Sequence, residues 1–173
     1  VVAMMSTIGT SWALSPGWQE LAPYAENFSS ATVSGSKFTK LPDYWAVKGT
    51  GSIWTVSSGT VGATSDLTSN STDFLITPQV KGEVSFKAKY AFWAARTYAN
   101  VSVYKCTLEE GEYVIGDIVL DQSLTETSSF AKFTIAAEST EYTSYAFHIS
   151  GAYIDDFSAS SADTADESDW GSD

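Results

Sequence analysis

Apolar and polar residues alternate along much of this chain with a period of two. The pattern is clearest in Val84-Ser85-Phe86-Lys87-Ala88-Lys89-Tyr90 and in Val101-Ser102-Val103-Tyr104-Lys105-Cys106. Such a period sends successive side chains to opposite faces of a strand, so both stretches read as half-buried antiparallel strands. Similar β-like runs are expected at about 26–33, 44–47, 52–57, 73–77, 83–92 and 100–108, then at 112–120, 130–136, 142–150 and 152–159. Glu109-Glu110-Gly111 separates two of them as a hairpin turn, because Gly111 accepts positive φ. Gly59, Gly62 and the Ser/Thr/Asn cluster at 64–72 predict a long surface loop. Apolar residues are nowhere sustained at three- and four-residue spacing, so almost no helix is expected. About ten short strands with turns between them predict an all-β fold, an antiparallel β-sandwich.

Composition sharpens this picture. The 173 residues suit a single domain that buries a core without covalent staples. A hydrophobic content of 43% with 14% aromatics marks a folded chain, and the abundance of Ser, Thr and Gly is that of a turn-rich β domain. Nine basic against 21 acidic residues give a net charge of −12, which provides no footprint for nucleic acid and disfavours anionic membranes. No apolar run is long enough to span a membrane. With Cys106 as the lone cysteine, an internal disulfide and a cysteine-rich zinc site are both excluded; a buried small hydrophobe is expected there.

Residues 1–24 read as a signal-peptide remnant or an irregular lead-in. Val1 to Ala13 is apolar, uncharged and ends Ser11-Trp12-Ala13, and Pro16, Gly17 and Pro23 follow. The folded domain is expected over 25–160. Residues 161–173 carry Asp163, Asp166, Glu167, Asp169 and Asp173 and read as an acidic flexible tail or linker within a larger multidomain chain.

Several short motifs fall in a recognisable order: Glu26-Asn27-Phe28, then Leu41-Pro42-Asp43-Tyr44-Trp45, Trp54, Asp73-Phe74-Leu75-Ile76-Thr77-Pro78, and finally Tyr153-Ile154-Asp155-Asp156-Phe157. In that order they resemble the cleaved-adhesin or choice-of-anchor J type of domain, similar to the adhesin modules of gingipain-type haemagglutinins and distantly to MAM domains. The resemblance spans about 25–160. It implies a jelly-roll β-sandwich that is secreted or displayed at the cell surface of a bacterium, is stabilised by calcium, and binds host proteins or glycans. The loop between Trp54 and Asp73 departs from the family pattern in lacking its Asp-rich run.

The chemistry centres on Asp155 and Asp156, two adjacent carboxylates inside an apolar run. Strand alternation lets only one of them face a core, and a buried carboxylate needs a cation, backbone N–H groups or a metal. Calcium takes oxygen ligands from carboxylates and carbonyls. First and last strands of a jelly roll commonly adjoin, and the resemblance carries the same positions, so Glu26, Asp155 and Asp156 are the expected ligands of a structural Ca2+. A turn capped by the Asp pair is the alternative. Trp93, Arg96 and Tyr98, at a strand end and loop start, are candidate contacts to a sugar ring or protein partner, with simple packing as the alternative.

Catalysis has little support. His148 is the sole histidine and sits between Phe147 and Ile149, and no nucleophile-elbow motif is present. The expected function is therefore non-catalytic: a secreted binding or adhesion module for a glycan or extracellular protein. An accessory carbohydrate-binding-like domain of a larger secreted hydrolase or protease is the alternative, and a structural spacer the third.

Overall fold

A computed structural model describes residues 23–49, 53–64, 73–91, 99–125, 129–136 and 142–163. They form twelve strands and no helix, so no described helix is long and apolar enough to cross a membrane. In chain order these are β1 (Tyr24–Glu26), β2 (Thr32–Ser34), β3 (Lys37–Lys40), β4 (Ala46–Lys48), β5 (Trp54–Ser57) and β6 (Thr60–Thr64). Then come β7 (Phe74–Ile76), β8 (Gln79–Tyr90), β9 (Ala99–Glu109), β10 (Glu112–Leu124), β11 (Ala131–Ile135) and β12 (Ser144–Asp163).

All the pairings are antiparallel, and β12 is their hub. Its first half runs beside β9 from Ser144 to Ser150 and beside β7 at Ala146 and Phe147. Its second half pairs with β8 from Ala152 to Asp163, with β6 at 150–154 and with β1 at 157–159. β10 extends the first group through β9 and β4 extends it through β7. β11 and β5 extend the second through β8 and β6. One strand thus belongs to both layers of a curled β-sandwich. Gly151, at φ +60°, sits at the crossing, next to a register shift between Ser150 and Ala152. Only glycine takes that conformation without a Cβ penalty. The expected break between two strands at Gly151 is therefore a bend within one.

The core lies between the layers. Val101, Val103, Leu75, Phe147 and Ile149 meet Val84, Phe86, Ala88, Ile154 and Phe157 in one buried cluster. Phe86 contacts Phe147 edge-on across it, with ring centroids 4.9 Å apart. Phe157 then joins Phe147, Trp45 and Tyr24, and Trp45 joins Phe28. Trp45, Trp54 and Phe86 are core, and Phe74 is partly buried and packs on a second cluster of Ile76, Cys106 and Ala146. Cys106 is a buried free thiol, and burial raises its pKa.

The expected 83–90 alternation appears as read: Val84, Phe86, Ala88 and Tyr90 are buried while Ser85, Lys87 and Lys89 are not. The hairpin at Glu110-Gly111 has positive φ at both residues, the mark of a type I′ turn. Three of the differences from the expected boundaries change the picture. Gly62 lies within β6, not in a loop, and its missing side chain makes room for the Tyr153 ring, which an added Cβ would approach to 2.7 Å. The expected 26–33 strand breaks after Glu26, because Phe28 turns left-handed at φ 59°. β12 continues past the expected boundary at 160, with Ser161 and Ala162 buried.

Candidate functional site

On the outside of the layer formed by β11, β8, β12 and β1 lies an open cleft of about 620 Å3. Alternation in β8 that buries Val84, Phe86 and Ala88 leaves Ser85 and Lys87 pointing into it. Lys132 stands opposite Lys87 on β11, and Asp156 and Ser158 come from β12. Glu26, Asn27, Ser29 and Ser30 close the other side. The Ser85 and Ser158 hydroxyls are 2.7 Å apart, and the Lys87 ammonium donates to Asp156 Oδ2 at 2.9 Å.

The two aspartates are not divided between the faces as strand alternation predicts. Asp156 takes φ 49°, and the β12–β8 register shifts between Asp155 and Ser158. This bulge inserts one residue, so Ile154 and Phe157 are both fully buried while Asp155 and Asp156 both stay on the outer side. Asp155 Oδ1 accepts the Asp156 N–H at 2.7 Å. Desolvation raises the Asp155 pKa, the Asp156 charge adds to that, and the Asp156 N–H and Lys87 oppose it. The third expected ligand, Glu26 of β1, is paired with Phe157, and its Oε2 accepts the Phe28 N–H at 2.6 Å.

Of the expected metal ligands, Glu26 and Asp156 line the same cleft and Asp155 lies beside it. Among the described residues no three His, Cys, Asp or Glu side chains are grouped to hold a metal ion. Trp93, Arg96 and Tyr98 fall in 92–98, outside the described residues. The residues that sequence reasoning missed are Lys87, Lys132, Ser85 and Ser158. Alternation marks Ser85 and Lys87 as outward, but only the register shows that they face Asp156 and Lys132.

The cleft offers both signs of charge and several hydroxyls. His148, the sole histidine, lies on the opposite layer against Phe74, 5.8 Å between ring centroids, so no imidazole reaches the cleft serines. The cleft hydroxyls of Ser85 and Ser158 can each donate and accept hydrogen bonds.

Among solved structures the chain is similar to the K1 cleaved adhesin domain of Lys-gingipain from Porphyromonas gingivalis W83. The TM-score is 0.56 at 13% identity, over 79% of this chain and 96% of that one. The fold is that of a cleaved adhesin domain. The K3 cleaved adhesin domain of the same protein matches at TM-score 0.54 and 14% identity, over 82% and 99% of the two chains. The K2 domain matches at 0.53 and 14%, over 80% and 97%. No protein-family model matches the sequence, and no curated protein matches it either. Identities this low speak for the cleaved-adhesin architecture alone. The order of motifs from Glu26 to Phe157 thus led to the right fold.

Proposed function

We propose that this chain is a non-catalytic, secreted or surface-displayed binding module that recognises a glycan or an extracellular protein through the cleft between β1 and β11. The observation that carries this reading is the composition of the cleft on a rigid sheet. Lys87 and Lys132 donate, Asp156 and Glu26 accept, and the serine hydroxyls do both. Paired donors and acceptors suit polyhydroxylated or peptide ligands, and the cleaved-adhesin fold supports an adhesive role.

An array of glycans and matrix proteins probed with the whole chain tests it. A specific hit should weaken at least about tenfold in a Lys87→Ala/Lys132→Ala variant of unchanged melting temperature, the cost of losing about one charged hydrogen bond. A blank array, or hits that the double variant retains, would sink the cleft as the binding site.

The same cleft suits calcium as a structural ion. Carboxylates of Glu26 and Asp156 on adjoining strands supply the hard oxygen ligands it prefers, and the ion would tie β1 to β12. Lys87 competes for Asp156. A ligand of the folded state at 100 times its Kd adds about 2.7 kcal/mol, or roughly 5–10 °C for a domain of this size. Melting in millimolar calcium should exceed melting in EDTA, and Lys87→Met should enlarge the difference. Equal melting temperatures in both proteins would rule the ion out.

A further inference from the structure

The outer face of the other layer carries a built arrangement that the cleft does not use. On β9, Asn100, Ser102 and Tyr104 share one side; His148 of β12 stands opposite Ser102, and Asp121 of β10 stands opposite it on the other flank. Phe74 of β7 completes the row. Its ring meets Tyr104 edge-on at 5.8 Å and His148 at 5.8 Å, and all three rings are half-buried.

Beside these rings one carboxylate is held rigidly. Asn100 Nδ2 donates to Asp121 Oδ1 at 3.0 Å and to Ser102 Oγ at 2.7 Å, and Ser102 Oγ donates to the same Oδ1 at 3.1 Å. Ser123 Oγ donates in turn to Asn100 Oδ1 at 3.5 Å. Asn100 and Ser102 are 4% and 7% exposed, while Asp121 is exposed. Both donors converge on Oδ1, so Oδ2 is left for another partner. Two buried polar side chains are spent on orienting one surface carboxylate. The inward positions of this strand, Ala99, Val101 and Val103, are apolar, and apolar residues at 100 and 102 would serve stability as well.

We propose that this strip is a saccharide-binding site, with the C–H face of a neutral sugar ring on Tyr104 and Phe74 and its hydroxyls donating to Asp121 Oδ2. Asp121, opposite Ser102 on the adjoining strand, is a diagonal neighbour of Tyr104, roughly 7–8 Å away, which one sugar ring spans. Aromatic faces carry negative charge density that attracts polarised C–H groups, and an oriented carboxylate accepts hydroxyl protons strongly. The ligand is neutral because Asp121 and a net charge of −12 repel sialylated or uronic glycans. A lone carboxylate is too few ligands for a cation. The site shares with the proposed function only the class of ligand and uses a different face, so the two readings fail separately.

The test titrates the isotope-labelled 173-residue chain with neutral gluco-, manno- and galacto-configured hexasaccharides and a sialylated oligosaccharide, following backbone amide shifts. A neutral sugar should move residues 100–104, 121 and 148 at up to about 5 mM. Asp121→Asn should weaken that binding at least about tenfold without lowering the melting temperature. Tyr104→Phe, which keeps the ring, should retain it. Three outcomes would overturn the proposal: no shifts on this strip, shifts confined to Ser85, Lys87 and Ser158, or tighter binding of the sialylated sugar.

Discussion

Phe157 joins the first strands to the last. Its ring is fully buried and touches three others, Tyr24 at 6.2 Å, Trp45 at 5.1 Å and Phe147 at 6.1 Å, each edge-on. Truncation to alanine loses the transferred apolar area and leaves a cavity, together about 3–5 kcal/mol. Phe157→Leu keeps most of the volume but loses the three ring edges, each about 0.5–1.5 kcal/mol, so roughly 2–4 kcal/mol is expected. Against a total stability of about 5–15 kcal/mol these are large fractions, and the alanine variant should melt about 6–20 °C lower. Urea unfolding followed by tryptophan fluorescence measures the effect, with an unchanged m-value showing that stability alone has moved. Leu108→Ala, at a position 52% exposed, should stay within about 0.5 kcal/mol and serves as the control. A Phe157/Trp45 double-mutant cycle should return about 0.5–1.5 kcal/mol of coupling. A Phe157→Ala cost below about 1.5 kcal/mol, or zero coupling, would refute the claim that β1, β4 and β12 share one core.

Three further outcomes follow from the site and its surroundings. Glu26→Ala strips the buried, left-handed Phe28 of its N–H acceptor and should cost about 1–3 kcal/mol even in EDTA, whereas Glu26→Gln should recover most of it. The Tyr24 hydroxyl, which accepts the Trp45 indole N–H at 2.8 Å, has its pKa pushed up to about 12, chiefly by burial and further by Glu26 and Asp43, with the Trp45 bond opposing. An unfolded tyrosine ionises near 10, so alkali favours the unfolded chain; wild type should lose more stability between about pH 10 and 12 than Tyr24→Phe, read from pH-dependent urea midpoints. Asp155 has a raised pKa, so its charge works against the fold at neutral pH. Asp155→Asn should be the more stable protein at pH 7, and the advantage should vanish in acid, where both states of wild type are protonated.

Local chemistry explains which elements could be read from the chain. The β8 pattern from Val84 to Tyr90 has one face in the core and one in solvent, so period two is written directly into it. Glu110-Gly111 carries its own turn signal. By contrast, β12 hides two departures that only tertiary packing enforces. Gly151 punctuates a sequence like a loop residue, yet it bends a continuous strand. Asp156 breaks the period because a short polar side chain tolerates the left-handed region at modest cost. The bulge then carries both aspartates outward, which alternation by itself forbids. Glu26 and Asp156 line one cleft, but Lys87 is invisible in the sequence as their neighbour because it sits 61 and 69 positions away from them. The strip around Asp121 was missed for the same reason: its partners come from separate strands.

The membership of β12 in both layers also governs when this protein can fold. Among the described strands five are paired directly to it, and it is the last to appear in the chain. Neither layer is complete until residues 144–163 have been made, and most of the contacts they close span long loops, which is slow. The earlier described strands therefore remain unlocked until β12 has been made. A strand that fastens both layers at once leaves the strands before it without their common partner until it arrives.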